Sequence, residues 1–325
     1  MSTLHTEDIR FNSSDGTSQA AGYFFTDPGQ PPRAILQISH GMCEYIGRYR
    51  DFAAFMAAHG FAVCGNDHLG HGATSQSAET DGFLSPKGGR FYMLRDLKTM
   101  NGLARSRWPG LPLILLGHSM GSFFARWFAE TYPDALDALI LSGTGGPNPA
   151  AGAGLAMTAM LGKLRGQAYR SQAVHNMAFG AYLKRVENPA TPYDWISRDK
   201  EIVAAYANDP KCTFQFTVSA FHELMATLRT VSRPEWAGKI RRDLPIYIFS
   251  GDADPVGDYG KGVRTVYGRL KEAGVADLTL KLYPGGRHEM LNETNRAEVY
   301  EDVLAWCEAH LAPSGRGVTE QKKEP

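Results

Sequence analysis

Short apolar runs alternate with amphipathic stretches along the first 145 residues. Four runs have the composition of buried strands: Ala34–Ser39, Phe61–Gly65, Leu113–Leu116 and Ala138–Leu141. Three intervening stretches carry apolar residues at the spacing of a helix with one buried face: Arg48–His59, Phe91–Arg107 and Gly121–Thr131. This alternation predicts an α/β fold with a mostly parallel sheet and helices on both of its faces.

Two further segments extend this pattern at the ends of the chain. Near the N-terminus, Ile9–Phe11 and Ala20–Phe25 flank a turn-rich stretch, which predicts an antiparallel hairpin at a sheet edge. Near the C-terminus, strands and helices alternate again: Ile246–Ser250, Tyr259–Ala273, Leu278–Tyr283 and Arg296–His310. We therefore assign residues 1–145 and 244–312 to one α/β core.

The middle of the chain lacks this alternation. Its apolar spacing predicts helices only: Leu155–Leu164, Gln172–Arg185 and Thr213–Arg229. Residues 146–245 contain 13 lysines and arginines but 8 acidic residues, whereas the flanking parts are acidic. We interpret residues 146–243 as a helical cap inserted into the core. The polar residues 313–325 are expected to form a disordered tail.

Composition restricts the class of protein. The 325-residue chain is 43% hydrophobic, and its 34 basic residues balance 34 acidic ones, so a nucleic-acid partner is not indicated. Four scattered cysteines without C-x-x-C spacing are typical of free thiols in a reducing compartment: Cys43, Cys64, Cys212 and Cys307. With no signal-peptide pattern and no apolar stretch of about 20 residues, we expect a cytoplasmic protein.

A serine lies between the third core strand and the helix that follows it. Gly117, Ser119 and Gly121 form a G-x-S-x-G pattern, the signature of a nucleophile elbow. The two glycines suit a sharp turn at which strand and helix pass closely and the serine hydroxyl projects beyond the sheet. The N–H of Met120 would then lie at a helix N-terminus, where it can face a developing negative charge.

A serine nucleophile needs a base and an acid that orients the base. Asp254 and His288 follow later strands in the order that this arrangement requires, so we predict a Ser119–His288–Asp254 triad. Asp252 is interpreted as a turn residue, and Asp258 as the cap of a helix that starts near Tyr259.

The loop after Ala34–Ser39 is expected to supply a second donor for an oxyanion. It contains His40, Gly41 and Met42, and the Met42 N–H is the candidate; the alternative is an ordinary loop that Gly41 merely turns. His68 and His71 have metal-like spacing but no third ligand, which favours a structural turn. We therefore predict neither a metal nor an organic cofactor.

Five stretches together resemble one known family. They are HGMCEYIGRY at 40–49, NDHLGHGATS at 66–75, LGHSMGS at 116–122, SGDADPV at 250–256 and PGGRHEMLNE at 284–293. This chain resembles the monoacylglycerol lipase and lysophospholipase branch of the α/β-hydrolases, which is also grouped with serine aminopeptidases. The cap stretch 195–210 is similar to family members but identifies a substrate poorly.

The resemblance implies roles for named residues. It implies Ser119, Asp254 and His288 as the triad and the amides of Met42 and Met120 as oxyanion donors. Glu44 and Arg48 match a polar pair that lies near the site in the family and shapes the alcohol end of the pocket. Two positions depart from the family pattern: Ser122, where another glycine is common, and Tyr45, where histidine is common.

These observations lead to one main hypothesis about function. We expect a serine hydrolase of carboxylic esters that forms an acyl-enzyme, acting on a lipid-like ester such as a monoacylglycerol or lysophospholipid. An apolar, basic cap suggests transient contact with a membrane surface, and its methionines Met157, Met160 and Met177 are either lining of an acyl channel or core filler. The alternatives are an aminopeptidase of the same fold and a non-catalytic binding module.

Overall fold

Among residues 4–311, which the computed structural model describes, eight strands form a single sheet. The strands are β1 (His5–Asn12), β2 (Gln19–Thr26), β3 (Ala34–Ser39), β4 (Phe61–Asn66), β5 (Leu113–His118), β6 (Ala138–Ser142), β7 (Ile246–Gly251) and β8 (Leu278–Tyr283). Their order across the sheet is β1-β2-β4-β3-β5-β6-β7-β8. Strands β3 to β8 pair in parallel, and β1 and β2 form the antiparallel edge. The predicted α/β sheet and its edge hairpin are confirmed.

Helices cover both faces of this sheet. Counting also those between β6 and β7, the α-helices of the described residues are α1 (Arg50–Ala58), α2 (Gly89–Arg107), α3 (Met120–Thr131), α4 (Ala151–Arg165), α5 (Gln172–Phe179), α6 (Lys200–Asn208), α7 (Val218–Val231), α8 (Lys261–Glu272) and α9 (Arg296–Ala309). Helices α2, α3 and α8 pack on one face, and α1 and α9 pack on the other. Side chains alternate along β5, so Leu113 and Leu115 pack on the face covered by α2, α3 and α8, while Ile114 and Leu116 pack on the face covered by α1 and α9.

Helices α4 to α7 lie between β6 and β7, within the residues that we propose as a cap. The prediction of one helix over Gln172–Arg185 was wrong, because α5 ends at Phe179 and Gly180 follows. The predicted helix from Thr213 begins instead at Val218, where the Thr217 hydroxyl accepts the Ala220 N–H.

Helix α6 was missed by the sequence interpretation. Its N-terminus is capped by Asp199, whose carboxylate accepts the backbone N–H groups of Glu201 and Ile202 at 3.0 and 3.3 Å. Its buried face is narrow, since Val203 and Tyr206 are its only buried residues. An aspartate directly before a short apolar stretch was the available signal.

A buried arginine connects the inserted helices to the core. Arg126 of α3 is fully buried; one guanidinium nitrogen donates to the carbonyl of Gly145 at 2.9 Å, and the other donates to the carbonyl of Val231. Its guanidinium lies 4.3 Å from the ring centroid of Trp236. Because residue 145 follows β6 and residue 231 ends α7, one side chain bonds to the segment that precedes α4 and to the end of α7.

The C-terminal residues 312–325, including the predicted disordered tail 313–325, lie outside the described residues. Within residues 4–311, no helix combines the length and the apolar character needed to cross a bilayer.

Replacing a core leucine of α2 should destabilise the fold far more than replacing a surface leucine of the same helix. Leu97 is fully buried, whereas Leu103 is 36% exposed. We expect Leu97→Ala to lower the free energy of unfolding by about 2–5 kcal/mol, because it removes buried apolar area and leaves a cavity. Leu103→Ala should change it by less than about 1 kcal/mol. Urea unfolding followed by circular dichroism measures both; equal losses would contradict the assigned packing of α2.

Candidate active site

Ser119 occupies a strained turn between β5 and α3. Its φ and ψ are 52° and −121°, a positive-φ backbone conformation that residues other than glycine rarely adopt. The Ser119 N–H donates to the Ser142 carbonyl at 3.0 Å. A Cβ atom on Gly121 would overlap the Ser39 carbonyl, and one on Gly117 would crowd the Gly121 carbonyl. The steric reason for both glycines is therefore visible in the structure.

Ser122, one of the two departures from the family pattern, has a structural role. Its hydroxyl lies 2.6 Å from the Ser119 carbonyl oxygen and 2.8 Å from the Thr144 hydroxyl. The serine therefore links the start of α3 to the segment after β6.

Asp254 and His288 are paired at the carboxyl ends of β7 and β8. The Nδ1–H of His288 donates to the Asp254 carboxylate at 3.0 Å, and both side chains are buried. Asp254 also accepts the Val256 N–H at 2.8 Å and the Ser250 hydroxyl at 3.1 Å. The Asp254 carboxylate is therefore held by three hydrogen-bond donors. Because it accepts from Nδ1–H, the neutral imidazole of His288 carries its proton on Nδ1 and leaves Nε2 free to accept one.

The two competing aspartates have other positions. The Asp252 carboxylate accepts the Gly285 N–H at 2.7 Å, as expected of a turn residue. The prediction that Asp258 caps a helix was wrong: α8 begins at Lys261, and its N-cap is Gly260. Asp258 instead has a φ of 49°, in a left-handed turn beside the cavity.

Two opposing effects act on the pKa of His288. Burial is the largest single effect and lowers this pKa, but the Asp254 carboxylate, together with Glu289 and Glu44, outweighs it, so the net pKa lies above its usual value. The ring of His118 packs against it with centroids 4.7 Å apart. Burial, followed by the proximity of His288, lowers the pKa of His118 to about 3. His118 therefore stays neutral over the pH range in which His288 gains or loses its proton.

Ser119 and His288 line the same cavity, which has a volume of about 780 Å³. Among residues 4–311, no hydrogen bond joins the Ser119 hydroxyl to the His288 imidazole. Such bonds are often long until a substrate is bound. The structure thus brings the three predicted residues to one edge of the sheet, with the acid–base pair already joined.

The predicted oxyanion donors lie beside Ser119. Met42 and Met120 line the cavity, and neither backbone N–H has a protein acceptor within the described chain. A Cβ on Gly41 would lie 3.1 Å from the Cβ of Ser119, so the loop after β3 lies directly against the serine. Two amides are thus available next to one hydroxyl.

Glu44 and Arg48 belong to a buried charge network beneath this loop. The Glu44 carboxylate accepts the Gly41 N–H, and also the Tyr49 hydroxyl at 2.8 Å. Arg48 donates to Glu44 at 3.1 Å and makes two bonds of 2.7 Å to Glu289. Glu44 lines the cavity, but Arg48 is directed towards the two carboxylates.

The two carboxyl groups that share Arg48 differ in pKa. Burial raises the pKa of Glu44, and Arg48 opposes this only in part. Burial acts on Glu289 in the same direction, but its two-pronged contact with Arg48 lowers its pKa overall. The sequence interpretation missed Glu289, although it directly follows His288 in the PGGRHEMLNE stretch.

The three early histidines form a packed cluster. His40 lies 4.2 Å from His68 and 5.2 Å from His71 between ring centroids, and His40 Nε2 accepts the His68 N–H. Burial lowers the pKa of His68 to about 3 and that of His71 to about 4. The described residues contain no group of His, Cys, Asp and Glu that could hold a metal. These contacts agree with a structural turn.

Helices of the insertion supply much of the cavity wall. Apolar side chains that line it include Met177, Phe179, Phe221, Leu224, Met225 and Leu228. The three cap methionines have different surroundings. Met177 lines the cavity, Met160 is 54% exposed, and Met157 packs against the hydrophobic core.

This fold and this site are those of an α/β-hydrolase, and comparison with known proteins identifies the family. A family model described as "Serine aminopeptidase, S33" matches residues 30–295. The chain therefore belongs to the serine aminopeptidase S33 family, and the resemblance noted from its motifs is confirmed.

Relatives and solved structures add detail. The chain is 31% identical to a monoacylglycerol lipase of Mycolicibacterium smegmatis, over 87% of this chain and 91% of that protein. It is 28% identical to human monoglyceride lipase, over 89% and 86% of the two chains. A thermostable carboxyl esterase of Bacillus coagulans, solved in complex with glycerol, superposes with a TM-score of 0.88 at 34% identity, covering 95% of this chain and all of that one.

The electrostatics of His288 predict the outcome of a titration. We expect NMR of the imidazoles to give His288 a pKa above 6.5, since Asp254 stabilises the protonated ring. In Asp254→Asn this stabilisation is lost while burial remains, so the pKa should fall below 6.5. His118 should not titrate above pH 5 in either protein and serves as the internal control. A His288 pKa unchanged by the substitution would contradict the pairing.

Proposed function

We propose that this chain is a monoacylglycerol lipase or lysophospholipase-like esterase in which Ser119, His288 and Asp254 form the catalytic triad. The chain is a carboxylic ester hydrolase. The His288–Asp254 pair, located across one cavity from the serine of the strained turn, is the observation that carries the residue assignment. Nothing in the mechanism requires a metal or an organic cofactor.

In the proposed mechanism, His288 removes the Ser119 proton as the serine oxygen attacks the acyl carbon. The carbonyl oxygen becomes an oxyanion, which the amides of Met42 and Met120 stabilise. The C–O bond to the alcohol then breaks, and protonated His288 gives its proton to the leaving oxygen. Water, deprotonated by His288, cleaves the acyl-enzyme and restores Ser119. Asp254 holds the ring so that Nε2 faces the serine.

The cavity supports a substrate with an apolar chain and a small polar alcohol. Phe179, Phe221 and Leu228 of the insertion line it and offer apolar surface for an acyl chain. Glu44 and Glu289 also line it, and Glu44 bonds to the loop at residues 40–45 that carries Met42, the oxyanion loop. We propose that Glu44, held by Arg48, shapes the alcohol end. The Bacillus coagulans esterase was solved in complex with glycerol, which supports a small polyol as the alcohol of the substrate.

The structure weakens the case for an aminopeptidase. That activity needs an acidic group free to bind a substrate amine, and the insertion offers Glu187, Asp194 and Asp209. Asp209 accepts the Tyr45 hydroxyl at 2.8 Å, and Asp194 accepts the N–H groups of the 190–191 turn. Within residues 4–311, none of the three lines the cavity. The Mycolicibacterium smegmatis and human relatives, which cover most of this chain, are named as lipases.

Removal of the serine hydroxyl tests the proposed function. Ser119→Ala should lower kcat for octanoylglycerol by at least about 10³-fold, because the covalent route is lost. It should also abolish labelling by a fluorophosphonate probe. The control is Ser85→Ala, a half-buried serine that is not among the cavity-lining residues and whose hydroxyl donates to the Lys87 carbonyl; this variant should match the native protein. The assignment fails if Ser119→Ala turns over octanoylglycerol normally, and an aminopeptidase is favoured if aminoacyl-naphthylamides are the better substrates.

We further propose that the protein is cytoplasmic and touches membrane surfaces transiently through α4. On this helix Met160 and Leu164 are 54% and 72% exposed, next to Lys163 and Arg165. Apolar side chains flanked by basic ones suit an anionic lipid surface. All four cysteines are free and buried, which agrees with a reducing compartment.

Vesicle binding tests the proposed membrane contact. Leu164→Glu should reduce co-sedimentation with vesicles containing about 30% phosphatidylserine by at least about 5-fold, since it adds a negative charge to the apolar face. Leu103→Glu, on α2 of the core, is the matched control and should bind as the native protein does. Both variants should hydrolyse a soluble ester equally. Equal vesicle binding by the two variants would refute the contact.

A further inference from the structure

The stretch 195–210 in the insertion has no role in the mechanism described above, yet it contacts two loops of the site. At its start, the Ile196 carbonyl accepts the Glu289 N–H at 2.7 Å, and the Ser197 hydroxyl donates to the Asn292 carbonyl at 2.9 Å. The ring of Trp195 packs against His288 with centroids 5.1 Å apart. This end of the stretch therefore lies against the loop that carries the catalytic base.

The other end of the stretch lies against the oxyanion loop. The Tyr206 hydroxyl donates to the Cys43 carbonyl at 2.9 Å, and Tyr45 donates to Asp209 at 2.8 Å. The Tyr206 ring also packs against the Arg48 guanidinium, 4.8 Å from its centroid. Since Cys43 directly follows Met42, the Tyr206 bond is made one residue away from a proposed oxyanion donor.

Cys43 has a backbone conformation that needs such support. Its φ is 54°, a left-handed value that costs a non-glycine residue on the order of 1–3 kcal/mol and persists only when neighbours hold it. Its thiol donates to the Phe214 carbonyl at 3.3 Å, and its carbonyl accepts from Tyr206. Cys43 is thus held on two sides by residues of the insertion.

Helix α6, which carries Tyr206, is itself attached to the core by two ion pairs at its N-terminus. The Asp199 carboxylate that caps α6 also accepts from Arg296 at 2.9 Å, and Arg198 pairs with Glu293 at 3.0 Å. Tyr206 is 7% exposed, and burial raises the pKa of its phenol well above the usual value, so the hydroxyl stays a neutral donor.

We propose that Tyr206 is a positioning residue for the oxyanion hole: its phenol, bonded to the Cys43 carbonyl, fixes the strained turn that aims the Met42 N–H at the reacting carbonyl. The inserted segment is then part of the catalytic framework as well as a cover for the acyl chain. This inference rests on the proposed function, because it assigns Tyr206 to the same Ser119 chemistry.

The test uses Tyr206→Phe, which keeps the ring and its packing on Arg48 but loses the hydroxyl. Misplacement of one oxyanion donor should lower kcat/KM by about 10- to 100-fold. The factor should be the same for octanoylglycerol and p-nitrophenyl octanoate, which share an acyl group and differ in alcohol. The rate of Ser119 labelling by a fluorophosphonate should fall in parallel, since phosphonylation uses the same donors.

A matched control separates this effect from the loss of any buried phenol. Tyr247 is 2% exposed, and its hydroxyl lies 3.4 Å from that of Tyr283 in the core. Tyr247→Phe should leave kcat/KM and labelling within about 2-fold of the native values, and thermal melting monitors the folding of both variants.

Three outcomes decide the inference. A parallel loss for both esters and for labelling in Tyr206→Phe supports it. A loss confined to octanoylglycerol, with normal labelling, overturns it and makes the phenol a direct ligand of the alcohol. If Tyr206→Phe is as active as Tyr247→Phe, the inference is also overturned. The proposed function is tested separately by Ser119→Ala, and it stands if that variant is inactive.

Discussion

The backbone turn at Ser119 is the constraint on which the rest of the site depends. A left-handed serine costs on the order of 1–3 kcal/mol, and the protein retains it because β5 lies in the middle of the sheet and α3 packs closely beneath it. Glycine at 121 lets α3 approach the Ser39 carbonyl. The turn therefore places the hydroxyl beyond the sheet and leaves the N–H of Met120 facing the same space.

Parallel strands bring the other parts of the site to this point. The loops after β3, β7 and β8 all leave the sheet at its carboxyl edge, so the oxyanion loop, Asp254 and His288 meet there despite their distance along the chain. Arg48 joins two of these loops through Glu44 and Glu289. Buried ion pairs are weak evidence for stability, and the consequence here is geometric: the oxyanion loop and the histidine loop share one cation.

Much of this architecture could be predicted, because it depends on local patterns. Strands β3 and β8 have the predicted limits, β3 because it is a short, mostly apolar and fully buried segment. Strand β8 is only partly buried and alternates three leucines with Thr279, Lys281 and Tyr283, which is the period of a strand. The inserted helices were predicted less well: α5 is shorter than its apolar spacing indicates, and α6 was missed. Helices with narrow buried faces owe their limits to caps and tertiary contacts more than to periodicity.

By itself, the sequence determined the order of the core elements, the small residues around Ser119 and the presence of an acid and a histidine after later strands. Spacing and residue size carry that information within a few positions. Only the tertiary structure decided that Glu289 pairs with Arg48, 241 positions away, and that Tyr206 supports Cys43 from 163 positions away. Such contacts depend on how loops of different strands pack at one sheet edge, and no local pattern encodes that packing.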